Sequence, residues 1–224
     1  MKKRVIVLSL GGSQIIPNNI NEKYISEFKK TLLQNKNYKF IIVCGGGSLA
    51  RKYISAIKSN QRFQSLAGIS ATRTNARFMN YFFGIEPKQG IPQSMKAVKK
   101  YIKKQDIIFC GALEYKPTQT SDSTAAEIAK EFKAEFVNLT NVKGLYTKNP
   151  AKFKDAKFIS KISWKNLDTM ANKLKFKPGQ HFVLDQSASK IILKNKIPTY
   201  IIKEMKQFNN FLKQKKFIGT SIKS

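Results

Sequence analysis

The chain has 224 residues, 42% hydrophobic and 25% charged, the profile of an ordinary globular protein able to bury a substantial core. No apolar run approaches the roughly 20 residues needed to cross a bilayer, and the run at residues 5–10 behind Met1-Lys2-Lys3-Arg4 is too short for a signal peptide; a cytoplasmic protein with no membrane partner is expected. The formal charge of +29 is spread as lysines along nearly the whole chain, so it predicts nonspecific binding to polyanions rather than a dedicated nucleic-acid face.

Residues 5–10 form a short, β-branched apolar run, as expected for a strand buried on both faces. Gly11-Gly12-Ser13 stops it. From Asn21, Tyr24, Ile25, Phe28, Leu32 and Leu33 recur at helical spacing. Residues 40–44 predict a second buried strand, halted by Gly45-Gly46-Gly47. A helix follows at once, with Ser48 as its expected cap and Leu49, Tyr53, Ile54 and Ile57 on its inner face. Residues 66–83 read as a long helix and 94–103 as a short amphipathic one. Residues 106–110 predict a strand that ends at Gly111. A polar loop over 113–120 feeds a helix over 121–132. Strand 135–140 enters the loop 141–150. Then come a small helix at 163–171, a basic loop at 173–182 and a helix at 185–195. Strand 199–202, helix 208–213 and strand 217–222 complete the chain. Such alternation means a mostly parallel sheet with helices packed on its faces. No linker separates independent domains, so one domain over residues 1–224 is expected.

Cys44 and Cys110 each close an apolar run just before glycine, where cysteine packs as a small hydrophobe. One histidine, His181, and no Cys/His cluster offer no zinc site.

Three predicted strands end in glycine at equivalent positions: Gly11-Gly12, Gly45-Gly46-Gly47 and Gly111. Glycine lets the backbone approach a ligand closely, and successive amides form anion-binding nests. A helix starting at such a turn adds its N-terminal amides and dipole. In an open parallel sheet, ligands sit at the carboxyl ends of the strands. Together the loops point to a phosphate-rich ligand, although neither a Walker A sequence nor a dinucleotide G-x-G-x-x-G is present.

Here the chain resembles a known family. The segments 10–13 (LGGS), 43–54 (VCGGGSLARKYI), 68–76 (GISATRTNA), 121–126 (SDSTAA), 140–146 (TNVKGLY) and 184–192 (LDQSASKII) are similar, in order, to the motifs of archaeal UMP kinases. The resemblance implies the amino acid kinase fold, a three-layer αβα sandwich with a mostly parallel central sheet. It implies ATP in the C-terminal half, with Mg²⁺ carried mainly on its phosphates, and UMP in the N-terminal half. Gly12, Ser13 and Gly47 would meet the ATP phosphates and Gly46 the UMP phosphate. Arg51, one turn into the phosphate-facing helix, would grip phosphate with its fork. Thr140, Asn141, Tyr146 and Asn149 would hold the adenosine. Ser65 stands at a position that contacts the uridine sugar. Tyr115, Lys116, Pro117, Thr118, Gln119, Thr120 and Ser121 would close over UMP. Asp122 would organise the reacting groups and Lys190 would neutralise charge during transfer. The resemblance also implies a homo-oligomer, a hexamer built from dimers, for which Phe78, Met79, Phe82 and Phe83 offer an apolar surface.

Several positions depart from the family pattern. Ser9 stands where the wider superfamily often has lysine, and Ser65, Lys143 and Asn149 stand in place of aspartates. Thr118 replaces a glycine. Lys143 is a candidate source of the positive charge missing at Ser9. On residue type alone, Asp122 reads equally as a helix cap and Lys190 as one surface lysine among many. Two other readings remain at this level: another small-phosphate-acceptor kinase of the same fold, or a noncatalytic basic nucleotide- or RNA-binding protein.

Overall fold

The computed structural model describes residues 3–86, 90–117, 119–148, 150, 153–172 and 183–223. In chain order these form β1 (Arg4–Leu10), α1 (Gly12–Ile15), α2 (Glu22–Gln34), β2 (Tyr38–Cys44), α3 (Gly47–Ala56) and α4 (Gln61–Phe82). Next come α5 (Met95–Lys104), β3 (Ile107–Cys110), α6 (Ser121–Phe132), β4 (Glu135–Leu139), β5 (Leu145–Tyr146), β6 (Phe158–Ile159) and β7 (Lys161–Ser163). The last are α7 (Trp164–Asn172), α8 (Gln186–Asn195), β8 (Thr199–Ile202), α9 (Met205–Leu212) and β9 (Thr220–Lys223).

Seven strands make one sheet in the order β3-β2-β1-β4-β8-β9-β7. The five strands from β3 to β8 run parallel, and β9 turns antiparallel against β8. β5 and β6 form a separate antiparallel ribbon. Strand period sorts the core into two layers. Ile6, Leu8 and Leu10 of β1 join Phe40 and Ile42 under α2, α4 and α9. Val7 joins Ile41, Val43 and Phe136 under α5, α6, α7 and α8. Each fully buried Leu, Ile or Phe contributes about 1.5–3 kcal/mol, so both layers are substantial. This is the three-layer α/β arrangement with a mostly parallel sheet that the alternation predicted.

The same alternation assigns Ser9 to the layer of Val7, facing α6. Because all five parallel strands end at one edge, their following loops meet there. Backbone bonds join them: Gly11 N–H to Leu139 O at 2.9 Å, Gly45 N–H to Leu10 O at 2.9 Å, and Thr140 N–H to Ile202 O at 3.1 Å.

Some local expectations change. α4 begins at Gln61, where Asn60 caps it, five residues before the apolar periodicity starts. Ser48 is no cap: Gly46 holds that position, and Ser48 lies buried inside the first turn with its N–H on the Ile16 carbonyl at 3.0 Å. Tyr53 is 43% exposed, so the inner face of α3 is narrower than its pattern implied. Loop 141–150 contains β5, and β6 and β7 were missed because strands of two or three residues carry no readable period. α9 starts three residues earlier than expected and β9 starts at Thr220 rather than 217. The basic loop at 173–182 lies outside the described residues. Met79 is fully buried and Phe83 packs edge-on to Phe28 and Phe109, so these two belong to the core rather than to an outer surface.

Candidate functional site

The first two glycine loops interlock at the C-terminal edge of the sheet. A Cβ on Gly12 would stand 2.0 Å from the Gly47 nitrogen. Gly47 has φ +59°, and its Cβ would stand 2.4 Å from the Gly12 carbonyl oxygen. No L side chain fits at either position without moving backbone. Asn75 of α4 is buried and donates to the Gly45 carbonyl at 2.7 Å, which fixes the second loop from behind. The structure therefore brings Gly12, Ser13, Gly46 and Gly47 together, as expected. Arg51 is exposed on α3 and donates to the Pro17 carbonyl at 3.1 Å, in the segment that follows α1.

Beside these loops lies a carboxylate pair. Ser9, fully buried on β1, donates to Asp122 Oδ1 at 2.5 Å. Asp122 stands in the first turn of α6, whose cap is Thr120 in a reciprocal capping box with Ser123. Thr120 also donates its hydroxyl to Asp185, which caps α8 by accepting from Ala188 N–H at 2.9 Å. Burial and the Asp185 charge push Asp122 up to about 7, against the Ser9 hydrogen bond, which favours the carboxylate. The site thus holds two acidic groups that repel each other, with hydroxyls in place of a cation at Ser9.

Lys190 lies exposed in the second turn of α8, the helix that Asp185 caps. Thr140 follows β4 beside the first loop, with its hydroxyl 3.5 Å from Asn141 Oδ1. Tyr146, half-buried on β5, stacks edge-on with Phe158 at 5.4 Å. Lys143 is exposed in the loop between them. Asn149 and Thr118 lie outside the described residues, as does His181.

Loop 111–120 leaves β3 and reaches the cap of α6. Ser65 lies on α4, where its hydroxyl bonds back to the Gln61 carbonyl at 3.0 Å. Lys116 pairs with both Glu127 carboxylate oxygens at 2.8 and 3.0 Å, and Gln119 N–H closes a turn onto the Lys116 carbonyl at 3.2 Å. Tyr115 lies under the Arg62 guanidinium, while Ser121 opens α6 and Pro117 occupies the turn between. Sequence reasoning missed Asp185, Arg62, Arg73 and Asn75. The signal for Asp185 was there, an Asp immediately before an amphipathic helix. Arg73 and Asn75 sit inside the 68–76 motif, but nothing in the type of Arg73 marks it among 42 basic residues, and nothing near Asn75 in sequence shows its Gly45 partner.

The model of the amino acid kinase family matches residues 4–203. A uridylate kinase of Methanococcus aeolicus is 33% identical over 206 residues, covering 88% of this chain and 89% of that protein. One from Archaeoglobus fulgidus is 35% identical over 203 residues, covering 88% and 90%. The crystal structure of an Archaeoglobus fulgidus uridylate kinase superposes with a TM-score of 0.82 at 31% identity, over 97% of this chain and 99% of that one. A UMP kinase from Ureaplasma parvum, at 22% identity and a TM-score of 0.79, shares the fold. The chain therefore belongs to the amino acid kinase family and, within it, to the archaeal-type UMP kinases.

Proposed function

We propose that this chain is a UMP kinase, transferring the γ-phosphoryl group of MgATP to UMP to give UDP and ADP. The observation that carries the reading is the pair of interlocked glycine loops set beside Asp122 at the end of a parallel sheet. Glycine backbone of this kind lets amides approach phosphates closely, as a phosphoryl transfer needs. The curated archaeal relatives support the choice of acceptor.

A phosphate oxygen of UMP is already a competent nucleophile, so the protein supplies alignment and charge rather than a strong base. Gly12, Ser13 and Gly47 would hold the ATP phosphates, Gly46 the UMP phosphate, and Arg51 would grip phosphate with its fork. Thr140, Asn141, Tyr146 and Asn149 would hold adenosine, and Ser65 with Tyr115 to Ser121 would hold uridine monophosphate. Lys190 would neutralise charge as the phosphoryl group moves, and Asp122 would orient cationic partners around it. Mg²⁺ would be carried mainly on the ATP phosphates rather than on protein side chains. When bound there, Mg²⁺ would supply neutralisation of the phosphate charge.

A single cytoplasmic domain with the acceptor in its N-terminal half and the donor in its C-terminal half completes the proposal, with a role in pyrimidine nucleotide synthesis. Tyr53 on α3 and Phe63, Leu66 and Tyr81 on α4, 38 to 65% exposed, support a homo-oligomer, and the family pattern suggests a hexamer. Single turnover with γ-labelled ATP tests the chemistry. The label should appear in UDP, whereas label in free phosphate alone would contradict the proposal.

A further inference from the structure

Arg62 and Arg73 are eleven residues apart on α4, within about 20° of three full turns, so they share one stripe of the helix. Both face loop 111–120. Arg73 donates from Nε to the Ala112 carbonyl at 3.1 Å and from Nη2 to the Leu113 carbonyl at 2.7 Å. Its neighbour Thr72 accepts the Ala112 N–H at 3.0 Å. Gly111 lies so close beneath them that a Cβ there would stand 2.6 Å from Thr72 Oγ1 and 2.7 Å from the Arg73 nitrogen. Three turns back along α4, the Arg62 guanidinium stands 5.6 Å from the Tyr115 ring centroid.

The loop thus runs along α4 from one arginine to the other. Two consecutive carbonyls are met by one planar fork, which lysine cannot reproduce because its ammonium is a single point of charge. Burial lowers the pKa of Arg73, and Arg77 adds to that, but a guanidinium keeps its charge near neutrality. The bonds it makes are therefore charge-assisted. A loop held in its working shape before the ligand arrives spares the ligand the cost of ordering it.

We propose that Arg73, seconded by Arg62, is a positioning residue for the phosphoryl acceptor: it holds loop 111–120 in its acceptor-binding shape and so sets acceptor affinity without touching the reacting atoms. The role rests on the UMP kinase reading, since that reading makes the loop the acceptor's.

The test is R73K, which keeps the charge but removes the fork, measured by steady-state kinetics and by amide hydrogen exchange of the free protein. The KM for UMP should rise about tenfold, equal to about 1.4 kcal/mol, with kcat within threefold and the KM for ATP within twofold. Exchange should quicken in 112–120 and stay unchanged in β1 and β2. An unchanged KM for UMP, an equal rise for ATP, or faster exchange throughout the sheet would overturn the proposal. R62A, a surface change, serves if R73K is unstable. It should raise the UMP KM two- to fivefold with the ATP KM unchanged, and no change would count against the clamp. If the wild-type protein phosphorylates no acceptor, the kinase reading fails, while exchange at 112–120 still decides whether the arginines hold the loop.

Discussion

The hydroxyl of Ser9 donates a 2.5 Å hydrogen bond to Asp122, joining the first strand of the sheet to the first turn of α6 across 113 residues of sequence. A hydroxyl there stabilises the carboxylate only partly. Burial disfavours its charge most and the nearby Asp185 adds repulsion, so Asp122 is pushed up to about 7. An acid whose folded pKa lies above its unfolded value of 3.8 holds more protons when folded. The contribution of Asp122 to stability then falls as pH rises from about 4 to about 7.

Asp122→Asn removes that penalty while leaving an amide oxygen for Ser9. At pH 8 the variant should be more stable than the parent by on the order of 2 kcal/mol, and its advantage should shrink as pH falls toward 4. Thermal melts of both proteins between pH 4 and 8 check this. The same variant should lose most of its turnover, because a stable site without the organising carboxylate is still an incomplete one.

Asp185→Asn keeps a side-chain acceptor at the α8 cap but removes the like charge. The midpoint of Asp122, followed by carboxyl resonances against pH, should move down from about 7. Asp185→Ala loses the cap and the Thr120 bond together, at about 1–3 kcal/mol of stability.

Gly47→Ala puts a Cβ 2.4 Å from the Gly12 carbonyl at a φ of +59°. Gly84 has φ +73° and open space around its missing Cβ. Gly84→Ala should therefore cost only the backbone strain, about 1 kcal/mol. Gly47→Ala should cost more than twice that and abolish ATP binding, as calorimetric titration and denaturant melts would record.

Lys190→Ala tests the charge-neutralising role. It should lower kcat by about 10²–10³ with little change in either KM, as expected for a group that acts mainly in the transition state. A rise in KM with kcat unchanged would instead mark Lys190 as a ground-state binder.

The fold was legible wherever pattern and burial agree. β1, β2 and β3 are short apolar runs stopped by glycine, and the predicted helix over 121–132 matches α6 at both ends. Element ends failed where the deciding contact is distant in sequence. Nothing near Gln61 marks the start of a helix except its cap, and β6 and β7 exist because β5 and β9 lie beside them. In the site, the glycines were readable since their lack of a side chain is what lets the two loops interlock. The Asp122–Asp185 coupling and the Arg73 fork were not, because each joins segments 40 to 63 residues apart.

The central claim is tested most directly by ADP release from MgATP with UMP, CMP, dUMP, AMP and isopentenyl phosphate offered as separate acceptors. Turnover should be confined largely to UMP. Folded protein that binds ATP yet turns over none of the five would contradict the kinase assignment.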